Sequence, residues 1–189
     1  MEKIDPRIRR TKKLLKDSLK ELMLKSDDYT DITIKELCEK SMINRRTFYL
    51  HYNSIDDIMS EVLEDMAIEF IEYTNDYDHF SNPDRIVKDY FVFTNANPLY
   101  EKLNNNTDLN YIREQVSVKV VNKVTNHFDS IKYLDEFKYD MTRVFLNSTT
   151  VAMYRYWALS GKKVPMEEAI KITTKLVKDG IRSITKENH

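Results

Sequence analysis

Apolar positions recur along this chain at helical spacing, and they predict an all-α protein. Over residues 7–25, Leu15, Leu19 and Leu22 recur at i, i+4 and i+7, which places them on one helix face. Similar stripes predict further helices over residues 54–73, 84–95, 108–128, 133–160 and 166–184, with one or two turns over 99–103. Polar stretches over 76–83 and 104–107 are predicted connectors.

Three residues of the types that favour helix N-caps stand close together after the first predicted helix. Thr33 opens a Thr-x-x-Glu capping box with Glu36. Asn44 offers a second cap only eleven residues later, so the helix that begins after Thr33 is short. Ser54 offers a third cap and is followed by two acids, which the helix dipole favours there. The spacing predicts two short helices joined by a tight turn, followed by a long one.

Glycine is scarce, and its scarcity excludes several classes of site. The chain has two glycines in 189 residues, where average usage of about 7 per cent would give roughly 13. No glycine-rich phosphate loop can be written with them. Gly161, with Pro165 after it, is predicted to end the helix over 133–160. Gly180 lies late in the last helix, where close helix approach and fraying are both open interpretations.

The remaining composition favours a cytoplasmic protein without metal, cofactor or membrane span. The single cysteine, Cys38, excludes a disulfide framework and is most simply a small buried hydrophobe. His79, His127 and His189 have no partner at metal-ligand spacing. The basic start is followed by no apolar run, and no window approaches 18 apolar residues. The many aromatic residues after residue 69 are core or pocket candidates, and no single pocket residue is assigned.

Charge is distributed unevenly along the chain. Residues 1–53 hold 13 Lys/Arg and 9 Asp/Glu, whereas residues 54–189 hold 17 and 22. A basic N-terminal part on an acidic body suggests an anionic partner at one end of the protein. Uneven surface charge without any partner gives the same counts.

The segment TIKELCEKSMINRRTFYLHY, residues 33–52, is typical of a helix-turn-helix. Such an element places its second helix in the major groove of DNA, with the N-terminal residues at the base edges. Those residues are Arg45, Arg46 and Thr47. Arginine presents a planar fork that matches guanine O6 and N7, and a helix N-terminus attracts phosphate. A helix hairpin with solvated arginines has the same pattern.

Residues 32–58, ITIKELCEKSMINRRTFYLHYNSIDDI, resemble the N-terminal DNA-binding domain of the TetR/AcrR transcriptional regulators. The most specific parts are the Thr-Phe-Tyr-x-His-Tyr run and the apolar residue before Asn44. The string INRRTFYLHY is closest to the branch that includes the dihydroxyacetone-kinase operon regulators. The resemblance covers about residues 8–63; beyond them it rests on size, helical pattern and the final pair of long helices.

The resemblance implies a ligand-responsive, dimeric repressor that binds a palindromic DNA operator. It implies a three-helix DNA-binding domain over 1–53, a connecting helix 4 over 54–73, and an effector-binding and dimerisation domain of about six helices over 74–189. The effector is an unknown small molecule. The residues implied at the DNA are Thr33, Asn44, Arg45, Arg46, Thr47, Tyr49, His51 and Tyr52. The residues implied at the dimer interface are Tyr154, Trp157, Ile170, Thr174, Val177 and Ile181.

Two residues depart from the family pattern. Met42 stands in the turn where the family usually has glycine, and a left-handed methionine costs about 1–2 kcal/mol. Ile55 stands where the family often has a lysine that contacts the DNA backbone. Both departures favour an alternative, a helical ligand- or partner-binding protein with reduced DNA binding. An enzyme is not expected, because no nucleophile–base pair or paired-carboxylate site stands out.

Overall fold

The computed structural model describes residues 5–26, 28–123, 131 and 134–185. These residues form helices and connecting turns without a strand, which confirms the all-α prediction. A short 3-10 turn, Tyr29–Asp31, follows the first helix. The α-helices in this described part are α1 (Pro6–Lys25), α2 (Ile34–Ser41), α3 (Arg45–Tyr49), α4 (Ile55–Tyr73), α5 (Pro83–Ala96), α6 (Pro98–Asn105), α7 (Asn110–Lys123), α8 (Glu136–Leu159) and α9 (Met166–Thr185).

The chain packs as two compact units. Unit 1 comprises Met1–Ile68 and Pro98–Val120, and unit 2 comprises Glu69–Asn97 and Val121–His189. Packing units are not functional domains, so the division into a DNA-binding domain over 1–53 and a body over 74–189 stays a prediction.

Each of the three predicted N-caps in unit 1 is made by the expected side chain. Thr33 Oγ1 accepts a hydrogen bond from the backbone N–H three residues later, at 3.2 Å. Asn44 Oδ1 accepts from the N–H two residues later, at 2.7 Å. Ser54 Oγ accepts from the N–H three residues later, at 3.2 Å. Because these bonds satisfy N–H groups that the helices leave unpaired, the caps fix where α2, α3 and α4 begin.

Helix α1 lies at the centre of unit 1 and packs against α2 and α6. The predicted apolar stripe of α1 faces this core, since Leu15 and Leu19 have no exposed surface. Burying a side chain of this size stabilises the fold by about 1.5–3 kcal/mol. Other fully buried side chains of unit 1 are Leu37, Phe48, Ile58, Met59, Leu103 and Leu109.

Arg113 of α7 secures the end of α6. Its Nη1 donates to the carbonyls of Leu103 and Asn104 at 2.8 and 2.9 Å, and its Nη2 donates to the carbonyl of Asn106 at 2.6 Å. Helix α6 therefore runs two residues into the stretch predicted as a polar connector.

The helix predicted over 108–128 is observed as Asn110–Lys123. Residues 124–128 of that prediction, and His127 and His189, lie outside the described residues.

In unit 2, α5 packs against α8 and α9, and α8 packs against α9. Aromatic rings join α5 to α8: Tyr154 lies 5.2 Å from Phe91 and 5.7 Å from Trp157, measured between ring centroids. The indole Nε1 of Trp157 donates to the carbonyl of Val164 at 2.9 Å, so the buried ring also anchors the α8–α9 connection.

Both glycines have identifiable positions in unit 2. Helix α8 ends at Leu159, and Gly161 follows with φ +81°, which confirms the predicted stop. At Gly180, a Cβ atom would lie 2.6 Å from Cζ of Phe145. Close approach of α9 to α8, rather than fraying, is therefore the interpretation that the structure supports at Gly180.

Candidate nucleic-acid interface

Helices α2 and α3 are joined by a tight turn at Met42. Helix α2 ends there because Met42 takes the left-handed conformation, with φ 53° and ψ 33°. The next N–H, of Ile43, donates back to the carbonyl of Cys38 at 3.0 Å. The turn therefore has the shape for which glycine is favoured, although the residue is methionine, and the side chain of Met42 is 89% exposed.

Helix α3 presents its N-terminal residues to solvent while its other face is buried. Asn44, Arg45 and Arg46 are exposed and Thr47 is half-buried. Phe48 has no exposed surface and fixes the helix to the core of unit 1. The predicted base-reading residues therefore lie together on one outward end of a helix that is packed against unit 1 through Phe48.

The two arginines carry unneutralised positive charge. Within the described ranges of the chain, neither Arg45 nor Arg46 forms an ion pair with an acid. Thr33, at the start of α2, and Tyr49, at the end of α3, are also exposed, and His51 is half-buried. An exposed guanidinium at a capped helix N-terminus suits a base edge or a phosphate.

Tyr52 is the exception among the predicted DNA-contacting residues. Only 4% of it is exposed, and its hydroxyl donates to Oε2 of Glu61 at 2.9 Å. Burial, and then the bond to Glu61, raises the pKa of Tyr52. A phenol enclosed in unit 1 and bound to a carboxylate is less available to a DNA phosphate than the exposed side chains of α3, and the placement of Tyr52 at the DNA stays a prediction.

The acids at the start of α4 are occupied by bonds within unit 1. Asp56 accepts a hydrogen bond from the hydroxyl of Tyr29 at 2.5 Å. Asp57 accepts from the backbone N–H groups of Asn53 and Ser54 at 2.7 and 3.2 Å. The departure at Ile55 remains, since this half-buried side chain supplies no cation at the start of α4.

Sequence reasoning missed the role of the next acids on α4. Glu61 and Asp65 lie four residues apart on α4, and Lys12 and Lys16 lie four residues apart on α1. Glu61 forms an ion pair with Lys12 at 2.7 Å, and Asp65 forms one with Lys16 at 2.5 Å. The equal spacing of the two acids and the two lysines is a sequence signal for this contact, because residues i and i+4 share a helix face and two such faces can pair.

Cys38 lies on the buried face of α2. It is 5% exposed, and burial raises the pKa of its thiol. Its environment is that of a small core residue, as predicted. Within the residues described, no group of three or more His, Cys, Asp or Glu side chains is placed to bind a metal ion.

The predicted dimer-interface residues lie mainly in the core of unit 2. Tyr154 and Val177 have no exposed surface, and Trp157, Thr174 and Ile181 are at most 9% exposed. A side chain enclosed by its own chain has little surface to offer a second copy, and the assignment of these residues to a dimer interface stays a prediction. Ile170 is half-buried. A stripe that packs within one chain has the same helical period as one that pairs two chains.

A different set of apolar residues on α8 and α9 is exposed. On α8, Phe137, Met141 and Val144 recur at i, i+4 and i+7 and are 47–74% exposed. On α9, Ile172 and Leu176 are each 49% exposed. We call these five residues the apolar face of unit 2.

Unit 2 also has an open groove of about 310 Å³ near the end of α9. Its apolar wall includes Phe80, Ile131 and Ile181, and its charged rim includes Lys178 and Arg182. Lys178 is paired with Asp84 at 2.8 Å.

No helix in the parts of the chain seen in the structure is long and apolar enough to span a membrane.

No family model matches the sequence. Over 72 residues the chain is 31% identical to an uncharacterized HTH-type transcriptional regulator, YxbF, of Bacillus subtilis (strain 168). The match covers 38% of this chain and 19% of that protein, so the chain spans about a fifth of the curated relative.

Two solved structures have the same fold. The transcriptional regulator FadR from Bacillus subtilis, in complex with stearoyl-CoA, gives a TM-score of 0.61 at 13% identity, over 88% of this chain and 97% of that one. The fatty acid degradation regulator FadR from Bacillus halodurans gives 0.60 at 15% identity, over 96% and 99%. The chain is thus an all-helical protein with a helix-turn-helix element and the fold of these regulators.

Proposed function

We propose that this protein is a sequence-specific DNA-binding transcriptional regulator of the TetR/AcrR type. The observation that carries the proposal is the N-terminal end of α3, where Asn44 caps the helix and Arg45 and Arg46 stand exposed without acidic partners in the part of the chain that is described. The left-handed turn at Met42 supports it, because the turn retains its form without glycine. The similarity to an HTH-type regulator supports it further.

The regulator acts as a homodimer on a palindromic operator and is released by a small molecule. A dimer presents two recognition helices at a fixed spacing, which a palindrome matches. The apolar face of unit 2 supplies exposed surface for the pairing of two copies. Stearoyl-CoA is the first effector to test, since the FadR of the same fold was solved with it.

The test begins with selection of duplex DNA by the wild-type protein from a randomised library. Arg45→Ala and Arg46→Ala are then compared with Lys163→Ala, which removes an exposed cation from the α8–α9 connection. A base-reading arginine contributes about 1–3 kcal/mol, so we expect at least one α3 variant to bind the selected DNA about 10- to 100-fold more weakly. Lys163→Ala should bind like the wild type.

Unchanged affinity in both α3 variants would rule out α3 as the recognition helix. Failure of the wild type to enrich any sequence would favour the alternative, a helical ligand- or partner-binding protein. The specific observation behind that alternative is Ile55, which leaves the start of α4 without a cation for the DNA backbone.

A further inference from the structure

The carboxylate of Glu61 joins three helical elements of unit 1. Its Oε1 accepts a hydrogen bond from Nζ of Lys12 on α1 at 2.7 Å. Its Oε2 accepts from the hydroxyl of Tyr52, just beyond α3, at 2.9 Å. Nζ of Lys12 also lies 4.9 Å from the centre of the Tyr52 ring. Nζ of Lys16 lies 3.9 Å from Oε2 of Glu61. We call Glu61, Lys12 and Tyr52 the Glu61 cluster.

Tyr52 connects the Glu61 cluster to α3 through backbone hydrogen bonds. Its backbone N–H donates to the carbonyl of Phe48 at 3.0 Å, and the N–H of His51 donates to the same carbonyl at 2.9 Å. Tyr52 is thus tied to the last turn of α3 through the backbone and to α4 through its hydroxyl. Phe48, fully buried, fixes the same turn from the core side.

Lys16 lies near Glu61 and pairs more closely with Asp65, so Asp65 is the residue that provides a comparison. Nζ of Lys16 lies 2.5 Å from Oδ2 of Asp65, so this pair also joins α1 to α4. In contrast to the Glu61 cluster, it includes no residue of α3 or of the turn after it. Both pairs are partly exposed, with side-chain exposures between 20 and 46%.

We infer that Glu61 is a positioning residue for DNA recognition: it sets the orientation of α3 through Tyr52 while Lys12 holds it from α1. The inference rests on the proposed function and goes beyond it, because Glu61 is not among the residues predicted to contact DNA. A bidentate arginine–guanine contact depends on alignment, whereas phosphate contacts tolerate displacement. Loss of the cluster therefore lowers discrimination between sequences more than it lowers general affinity for DNA.

The experiment compares Tyr52→Phe and Glu61→Gln with the control Asp65→Asn. Tyr52→Phe keeps the buried ring and removes only the hydroxyl. Each variant is titrated with the duplex selected by the wild type and with a scrambled duplex of equal length. The readout is the ratio of the two affinities. A substitution that only destabilises unit 1 would lower the midpoint of thermal unfolding and leave this affinity ratio unchanged.

We expect the affinity ratio to fall about tenfold in Tyr52→Phe and by a similar factor in Glu61→Gln, through misalignment of the arginine contacts. The ratio for Asp65→Asn should stay within about twofold of the wild type, and the dependence of affinity on salt should be unchanged in Tyr52→Phe, since no phosphate contact is removed.

An equal ratio in Tyr52→Phe, Asp65→Asn and the wild type would overturn the role of Glu61 while leaving the proposed function intact. A wild-type protein that enriches no DNA would instead overturn the proposed function. If Glu61→Gln does not fold, Tyr52→Phe decides the question alone.

Discussion

At the scale of single residues, Met42 combines an unfavourable backbone with an exposed side chain. Its φ of 53° is left-handed, and its side chain, 89% exposed, makes little packing contribution in return. The conformation persists because the N–H groups of Met42 and Ile43 donate to carbonyls in the last turn of α2, at 3.3 and 3.0 Å. The turn thus retains its form at a cost that glycine would avoid.

Met42→Gly should raise the free energy of unfolding by about 0.5–1 kcal/mol. The relieved strain is about 1–2 kcal/mol, and the greater freedom of glycine in the unfolded chain offsets part of it. Urea denaturation gives the measurement. The control is Met42→Ala, which keeps the strained backbone and should change stability by less than about 0.5 kcal/mol. A loss of stability in Met42→Gly would contradict the strain at this position.

Residue roles that depend on local chemistry could be predicted from the sequence. The caps at Thr33 and Asn44 follow from side chains that bond to N–H groups two or three residues away. The role of Tyr52 could not be predicted in the same way. Its partner, Glu61, lies on another helix, and only the packing of that helix decides whether the hydroxyl points to solvent or to a carboxylate.

At the scale of elements, phenol–carboxylate hydrogen bonds join neighbouring segments at three places in the described part of the chain. Tyr29 bonds Asp56, Tyr52 bonds Glu61, and Tyr77 bonds Asp89 at 2.9 Å. In each case burial, and then the carboxylate, raises the pKa of the phenol. The phenols therefore stay protonated in the folded protein at a pH where they ionise in the unfolded chain.

The sign of this shift predicts a loss of stability at high pH. A group whose pKa is raised by folding contributes fully below its unfolded value, about 10 for tyrosine, and the contribution is lost as pH rises towards the folded value. We expect the free energy of unfolding to change little up to about pH 9 and to fall as the pH rises through about 10 and above. In a variant with all three tyrosines changed to phenylalanine the fall should be shallower, and an equal fall would exclude the phenols as its cause.

The helical spacing of hydrophobic residues predicts most of the helices, but it does not predict which surfaces their apolar faces pack against. The family resemblance implies a dimer interface at the stripe on α9, where Val177 and Ile181 pack inside unit 2. The spacing of apolar residues identifies the apolar face of a helix. Only the tertiary structure shows whether the same chain covers that face. The end of α6 was misplaced for a related reason, since its last carbonyls are held by Arg113, a residue of the following helix.

At the scale of the whole molecule, the apolar face of unit 2 predicts self-association. Ile172→Glu should weaken the dimer about tenfold or more, because a charge would be buried in the interface. Sedimentation over a range of concentrations measures the effect. Leu24→Glu is the matched control, since Leu24 lies on α1 in unit 1 and is also 49% exposed. A monomeric wild type, or an Ile172→Glu dimer as tight as the control, would exclude this face.

The single tryptophan gives the two units different optical signatures. Trp157 is 6% exposed and lies in unit 2, whereas unit 1 contains tyrosine but no tryptophan. Tryptophan fluorescence therefore reports the unfolding of unit 2 alone, while far-ultraviolet circular dichroism reports helices in both units. Transitions that coincide by the two methods would indicate cooperative unfolding of the chain, and separate transitions would reveal that one unit melts before the other.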